Sequence, residues 1–267
     1  MSLPSCTLVC GVDRKHLEQL SITFPTWQKN KPSLMEMPML VFYDQTQLDY
    51  VDIVSVVRHP NMDMVPWPPR GVEYEGDPND KWTDPQRYKM LAGFIHCAAA
   101  HVGTHYWLKL DTDVVAHEND DWIDPDWFES EPAIISHPWG FTKPPDQMTR
   151  LDEWVSDNEV FPLSLYFPLN LRVEPGADRL KHPRIISWCS FYRSDFTRMV
   201  SYACRSVCGS GKLPVPSQDG VAWYFAARMG EPIVRPNMKN LGWSQWLTMK
   251  NIRKHSREAM IDDRYIV

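Results

Sequence analysis

Residues 106–116 read YWLKLDTDVVA: an apolar run, then Asp111-Thr112-Asp113, then a second apolar pair. Tyr106, Trp107, Leu108 and Leu110 have the aromatic and aliphatic bias of a buried strand. A strand that ends in two carboxylates brings charge to the rim of a sheet, where ligands of open α/β folds collect. In extended geometry Asp111 and Asp113, two residues apart, leave the chain on the same side. Two like charges held so close are unfavourable alone. A hard divalent cation, Mg²⁺ or Mn²⁺, relieves them and keeps positions open for phosphate oxygens. The competing reading is a strand-end turn with two solvated acids.

Outward from this stretch the elements alternate. Residues 6–12 (CTLVCGV) read as a buried strand. A helix follows from His16 to Phe24, with Asp13 as its cap and Leu17, Leu20 and Phe24 on one face. Residues 38–43 form a second strand ended by Asp44, and 51–57 (VDIVSVV) a third. A proline-rich loop spans 59–85, and a helix runs from Pro85 to His101 with Tyr88, Leu91, Ile95 and Ala98 or Ala99 inward. The first half is therefore strand, helix, strand, strand, helix, strand, a nucleotide-binding α/β layout with a mostly parallel sheet. No G-x-G-x-x-G and no G-x-x-x-x-G-K-[ST] occurs, which removes the dinucleotide and P-loop readings.

The second half has strands at 133–137 and 184–192, a helix at 194–208, and an irregular polar stretch at 140–183 with a short helix at 147–156. Gln218-Asp219-Gly220 then opens a helix closed by Gly230, and a short strand, EPIVRP, comes after it. A basic tail begins at 238.

The chain has 267 residues, 43% apolar and 23% charged, which suits one large domain or two small ones. A net charge of −6 argues against sequence-independent nucleic-acid binding, which needs a basic surface. The first residues lack the basic region and apolar length of a signal peptide. No window approaches the ~18 apolar residues of a membrane span. The expectation is a soluble, cytoplasmic protein without a transmembrane segment. The six cysteines lack the density of a disulfide scaffold and read as reduced thiols. Most of the 12 tryptophans read as core, with a minority as platforms for sugar rings.

In this order the pieces resemble glycosyltransferases of the GT-A fold: an N-terminal strand–helix–strand half with an acid after its second strand, a strand ending in DTD, and QDGVAWYFAARMGEPIVRP. The last of these is similar to the acid–helix–Arg-x-Gly–strand segment of the inverting family-2 type. There the first acid is often Glu followed by Asp; here it is Gln218-Asp219, so only the second acid stands. The resemblance spans about 6–236. It implies a single domain over 1–267: a nucleotide-sugar-binding half to about 116, an acceptor and catalytic half to about 236, and a tail at 237–267 able to close as a lid.

The resemblance further implies transfer of a sugar from a UDP- or GDP-sugar donor to a carbohydrate or other hydroxyl acceptor, with Mn²⁺ or Mg²⁺ neutralising the diphosphate. Asp113 would bind the metal directly. Asp111 would reach it through water or hold the donor ribose. His255, the only histidine after Asp219, would complete the site, though its segment NIRKHSRE also reads as a solvated basic helix. Asp219 would be the general base, and its plainer role is an N-cap carboxylate. Asp13, with Arg14, and Asp44 would flank the nucleotide, and Arg87 or Lys89 would face the diphosphate, unless the two form part of a surface charge pair. Asp44 reads equally well as a turn acid. His137 would line the acceptor pocket.

Three alternatives stay open. One is a retaining GT-A transferase, with Asp219 positioning the acceptor. Another is a non-catalytic sugar- or nucleotide-binding module. The third is a haloacid dehalogenase-like phosphatase, whose D-x-D-x-[TV] motif fits residues 111–115, with Asp111 as nucleophile. That motif usually opens its domain, and here 110 residues precede it.

Overall fold

β1 (Cys6–Val12) opens the sheet because its sequence is apolar throughout, which suits a strand covered on both faces. The structure, a computed structural model, describes residues 3–67, 95, 97–118, 122–138, 185–208 and 218–261. Expectations that fall on Arg87, Lys89, Tyr88, Leu91 and the helix at 147–156 lie outside the described residues.

α1 (Arg14–Asn30) starts on Asp13, whose side chain accepts the His16 backbone N–H at 2.8 Å. It runs a turn and a half beyond the expected Phe24, straight through Pro25. The backbone bond lost at Pro25 is outweighed by the helix's last turn, where Trp27 and Asn30 are buried and hydrogen-bonded.

β2 (Met39–Tyr43) pairs parallel with β1. The run 51–57, expected as a strand, is instead a helix, α2 (Tyr50–Val56). Asp49 and Asp52 close a capping box at its start, which outweighs the β preference of the valines. Ile53 faces inward, while Tyr50 and Val51 face solvent. The third strand is β3 (Met62–Pro66), inside the expected loop, paired parallel with β2 at the sheet edge, where its proline is tolerated.

Helical residues 97–101 lead into β4 (Tyr106–Leu110), and β5 (Val114–Ala116) comes after the DTD turn. Ile95 and Ala98 are buried, as their spacing predicts. Next come β6 (Ile134–Pro138), β7 (Ile185–Arg193), α3 (Ser194–Cys208) and α4 (Gln218–Met229). The chain ends with β8 (Ile233–Val234), β9 (Trp243–Gln245) and α5 (Met249–Met260). Gly230 closes α4 with φ +70°, a conformation that glycine adopts without strain.

Seven strands form one sheet in the order β3-β2-β1-β4-β7-β6-β8. β7 runs against both neighbours, β4 and β6, and every other pairing is parallel. The carboxyl ends of β1, β2, β4 and β6 therefore meet at one rim. Alternate residues of each strand feed two cores. Leu8, Cys10, Leu108 and Phe191 face α1, while Val9, Trp107 and Tyr192 face α3 and α4. Trp27, Trp107, Trp122 and Trp243 are fully buried, so the tryptophan surplus is mainly core. Burial raises the Cys10 thiol to about 12 and those of Cys6 and Cys189 further, so all three stay protonated. Among the described residues no helix is long and apolar enough to cross a membrane.

Candidate active site at the carboxyl rim

The DTD segment is a turn rather than an extension of β4. Val114 N–H donates to Asp111 C=O at 3.2 Å, and Asp111 N–H to Trp188 C=O at 2.9 Å. The middle residue points inward. Thr112 is buried, and its hydroxyl donates to Gln19 Oε1 at 2.8 Å. Asp111 and Asp113 are left partly exposed at the rim.

α1 fixes this turn and the strand after it. Thr23 Oγ1 donates to Thr112 C=O at 2.8 Å, Trp27 Nε1 to Val114 C=O at 2.7 Å, and Asn30 Nδ2 to Ala116 C=O at 2.8 Å. Steps of four and three residues on a helix advance about 6.0 and 4.5 Å, close enough to the ~6.6 Å between alternate strand residues for the two to stay in step. A row of helix side chains thus replaces the missing neighbour along one edge of β5. Its other edge pairs antiparallel with β9, Val114 opposite Gln245.

The two carboxylates have unlike surroundings. Lys109, buried in β4, places Nζ 2.8 Å from Asp111 Oδ1. Asp113 receives a neutral donor, Gln245 Nε2, at 3.1 and 3.4 Å from its two oxygens. Its backbone C=O accepts Trp246 N–H at 3.1 Å. Burial, and after it the Asp111 charge, raise the Asp113 carboxyl to about 6. The Gln245 hydrogen bond and the nearby His16 charge offset this only in part.

Asp13 and Asp44 stand at the same rim, after β1 and β2. Asp13 Oδ1 takes both the backbone N–H of His16 and its ring Nδ1, the latter at 2.6 Å. Burial opposes its charge, but these bonds prevail and hold Asp13 below the usual carboxylate range. Asp44 accepts Thr46 Oγ1 at 2.6 Å and Gln47 Nε2 at 2.9 Å, which gives it a turn-forming role. Arg14 pairs with Asp52.

The structure does not bring His255 to the DTD turn. Its ring stacks on Trp246 at 3.7 Å, with Nδ1 2.8 Å from Glu258 Oε2. Among the described residues no group of three His, Cys, Asp or Glu is placed to hold a metal ion. His137 is buried, and its Nδ1 accepts Met238 N–H at 3.2 Å. Asp219 lies in the first turn of α4. The tail forms α5, tied to the end of α1 by Lys29 Nζ and Asn30 Nδ2 donating to Met260 and Ala259 carbonyls.

Sequence reading missed Lys109 and Gln245. Lys109 had a signal, a lone charge in an apolar strand on the same side as Asp111. Gln245 had none, because it meets Asp113 across 132 residues.

No family model matches the chain, and no curated protein matches it by sequence. Solved structures do match in fold. Core-mannan synthase A (CmsA/Ktr4) of Aspergillus fumigatus, in its Mn/GDP form, superposes with a TM-score of 0.53 at 13% identity, over 85% of this chain and 70% of that one. The mannosyltransferase Ktr4p of S. cerevisiae with GDP gives 0.53 at 11% identity, over 86% and 71%. The mannosyltransferase PcManGT of Pyrobaculum calidifontis with GDP-Man and Mn²⁺ gives 0.50 at 13% identity, over 88% of this chain and 55% of that one. With its mostly parallel seven-stranded sheet, reversed β7 and acid-tipped β4, this chain has the GT-A glycosyltransferase fold.

Proposed function

We propose that this chain is a metal-dependent glycosyltransferase that moves a sugar from a nucleoside-diphosphate sugar to an acceptor hydroxyl with inversion. One observation carries the reading. At the ligand-collecting rim of a GT-A sheet, Asp113 is a carboxylate whose charge is costly and whose close side-chain donor is a neutral amide. Carboxylate and amide oxygens are hard donors of the kind Mg²⁺ and Mn²⁺ take. A divalent cation there supplies neutralisation of the leaving diphosphate.

In this reading Asp113 binds the cation directly and Asp111, steadied by Lys109, supports it. Asp219 takes the proton from the acceptor hydroxyl as the new bond forms. Asp13 acts on the nucleotide side through His16, which it orients. GDP-sugars are the first donors to test, because the mannosyltransferases of like fold were solved with GDP or GDP-Man. A phosphatase using Asp111 as nucleophile finds less support, since Asp111 is engaged by Lys109 and the proteins of like fold are glycosyltransferases.

Asp219→Asn tests the base. Mn²⁺-dependent diphosphate binding should persist while turnover falls by roughly 10²–10⁴-fold. Unchanged turnover removes the base role and favours retention, which the anomeric configuration of the product, read by NMR, reports independently.

A further inference from the structure

We propose that Gln245 completes the cation site beside Asp111 and Asp113, with its amide oxygen as the third protein ligand. This rests on the metal-dependent reading above. Gln245 is placed by backbone bonds on both sides of Asp113. It stands opposite Val114 in the β5–β9 ladder, and the next residue, Trp246, donates its N–H to Asp113 C=O. Its amide lies across the carboxylate, with Nε2 at 3.1 and 3.4 Å from the two oxygens.

A cation held by Asp113 therefore falls within reach of the same amide. Amide oxygen and nitrogen exchange places by a half-turn of the terminal torsion, so one side chain serves the carboxylate as donor and a cation as acceptor. An amide oxygen is a hard, neutral ligand of the kind Mg²⁺ and Mn²⁺ accept. Two carboxylates and one neutral ligand, with Lys109 paired to Asp111, leave one net positive charge of the divalent cation for the diphosphate. Positions stay open for diphosphate oxygens.

His255 has a different task. Its ring, stacked on Trp246 and paired with Glu258, packs behind the segment that carries Gln245.

The test is Mn²⁺ binding to the full chain, read as free Mn²⁺ by EPR with and without GDP or UDP. Gln245→Ala should weaken binding by about 10-fold or more, and His255→Ala should change it by no more than about twofold. The loss in Gln245→Ala separates the possible roles. A ligating oxygen predicts it, whereas a mere N–H donor to Asp113 predicts binding like wild type or tighter, because the carboxylate it engaged is freed for the cation. Gln245→Glu, which keeps an oxygen, should bind Mn²⁺ at least as tightly as wild type. Wild-type-like binding in Gln245→Ala, or weaker binding in Gln245→Glu, overturns the inference and leaves the metal-dependent reading standing. A wild-type chain that takes no Mn²⁺ even with diphosphate present overturns that reading itself. Gln245→Met keeps side-chain volume without an amide oxygen, so it carries the test should Gln245→Ala fail to fold.

Discussion

The seven-stranded sheet and the two-stranded β5–β9 sheet meet at one turn, and each holds one of its carboxylates. Asp111 belongs to the large sheet, with its N–H bonded to Trp188 and its carboxylate paired with buried Lys109. Asp113 belongs to the small one, with its C=O bonded to Trp246 and its carboxylate facing the Gln245 amide. A carboxylate with a charged partner is an anchor, whereas one with a neutral partner keeps an unmet demand for positive charge. The difference identifies which aspartate has more to gain from a ligand cation.

Ligand binding should separate the two most. Asp113→Ala should weaken Mn²⁺-dependent nucleoside-diphosphate binding by about 100-fold or more, and Asp111→Ala by nearer 10-fold. Titration calorimetry with GDP and UDP measures both. Equal losses would break the comparison, since neither sheet would then hold the principal ligand.

Stability should separate them in sign. A carboxyl raised from 3.8 to about 6 holds its proton more tightly folded than unfolded. It favours the fold at low pH, and that contribution is lost as pH rises through about 4 to 6. Ionising Asp113 costs the fold on the order of 2–3 kcal/mol, less after solvent screening. Asp113→Asn should therefore be the more stable protein at pH 8, in EDTA, with the gain vanishing near pH 4. Asp111→Asn should instead lose roughly 1–2 kcal/mol at pH 8, as Lys109 gives up a charged partner. Relief of Asp113 returns part of that loss. Urea unfolding at the two pH values decides, and a shared sign would show that Lys109 does not distinguish the pair.

The same contrast governs what the sequence disclosed. The large sheet was legible because its strands are short apolar runs, and their acids fall at the strand ends where pattern alone puts them. The exceptions are local. At 49–57 a capping box overrode a β-branched run, and at 62–66 a strand lay hidden among polar and proline residues. The small sheet was almost illegible. β5 and β9 have three residues each, too few for a period. Their support comes from the polar side chains Thr23 and Asn30 within a helix, which pattern reading assigns to solvent. Gln245 reaches Asp113 only through tertiary pairing. Asp13 and Asp44 follow β1 and β2, and their hydrogen bonds to His16, Thr46 and Gln47 shape the rim.

The smallest expected effect sharpens the contrast from behind the small sheet. His117 comes directly after β5, and its Nε2 lies 2.8 Å from Ser244 Oγ, which already accepts Trp246 Nε1 at 2.9 Å. Ser244 keeps its own hydroxyl proton to offer, and a neutral His117 ring with Nε2 as acceptor takes it. Burial first, then the charges of His255 and Lys31, keep His117 below its ordinary value, with Glu258 opposing. A base so depressed supports the fold while neutral. The unfolded chain takes up the proton more readily, so that support is lost as pH falls below about 6.5 toward the folded value. Protonation makes Nε2 a donor, which Ser244 Oγ must then accept beside the Trp246 N–H, one residue from Gln245. His117→Asn should thus lose less stability than wild type between pH 7.5 and 5.5 in urea unfolding. Parallel losses in the two proteins would place the acid sensitivity elsewhere and leave Ser244 as a passive strand residue.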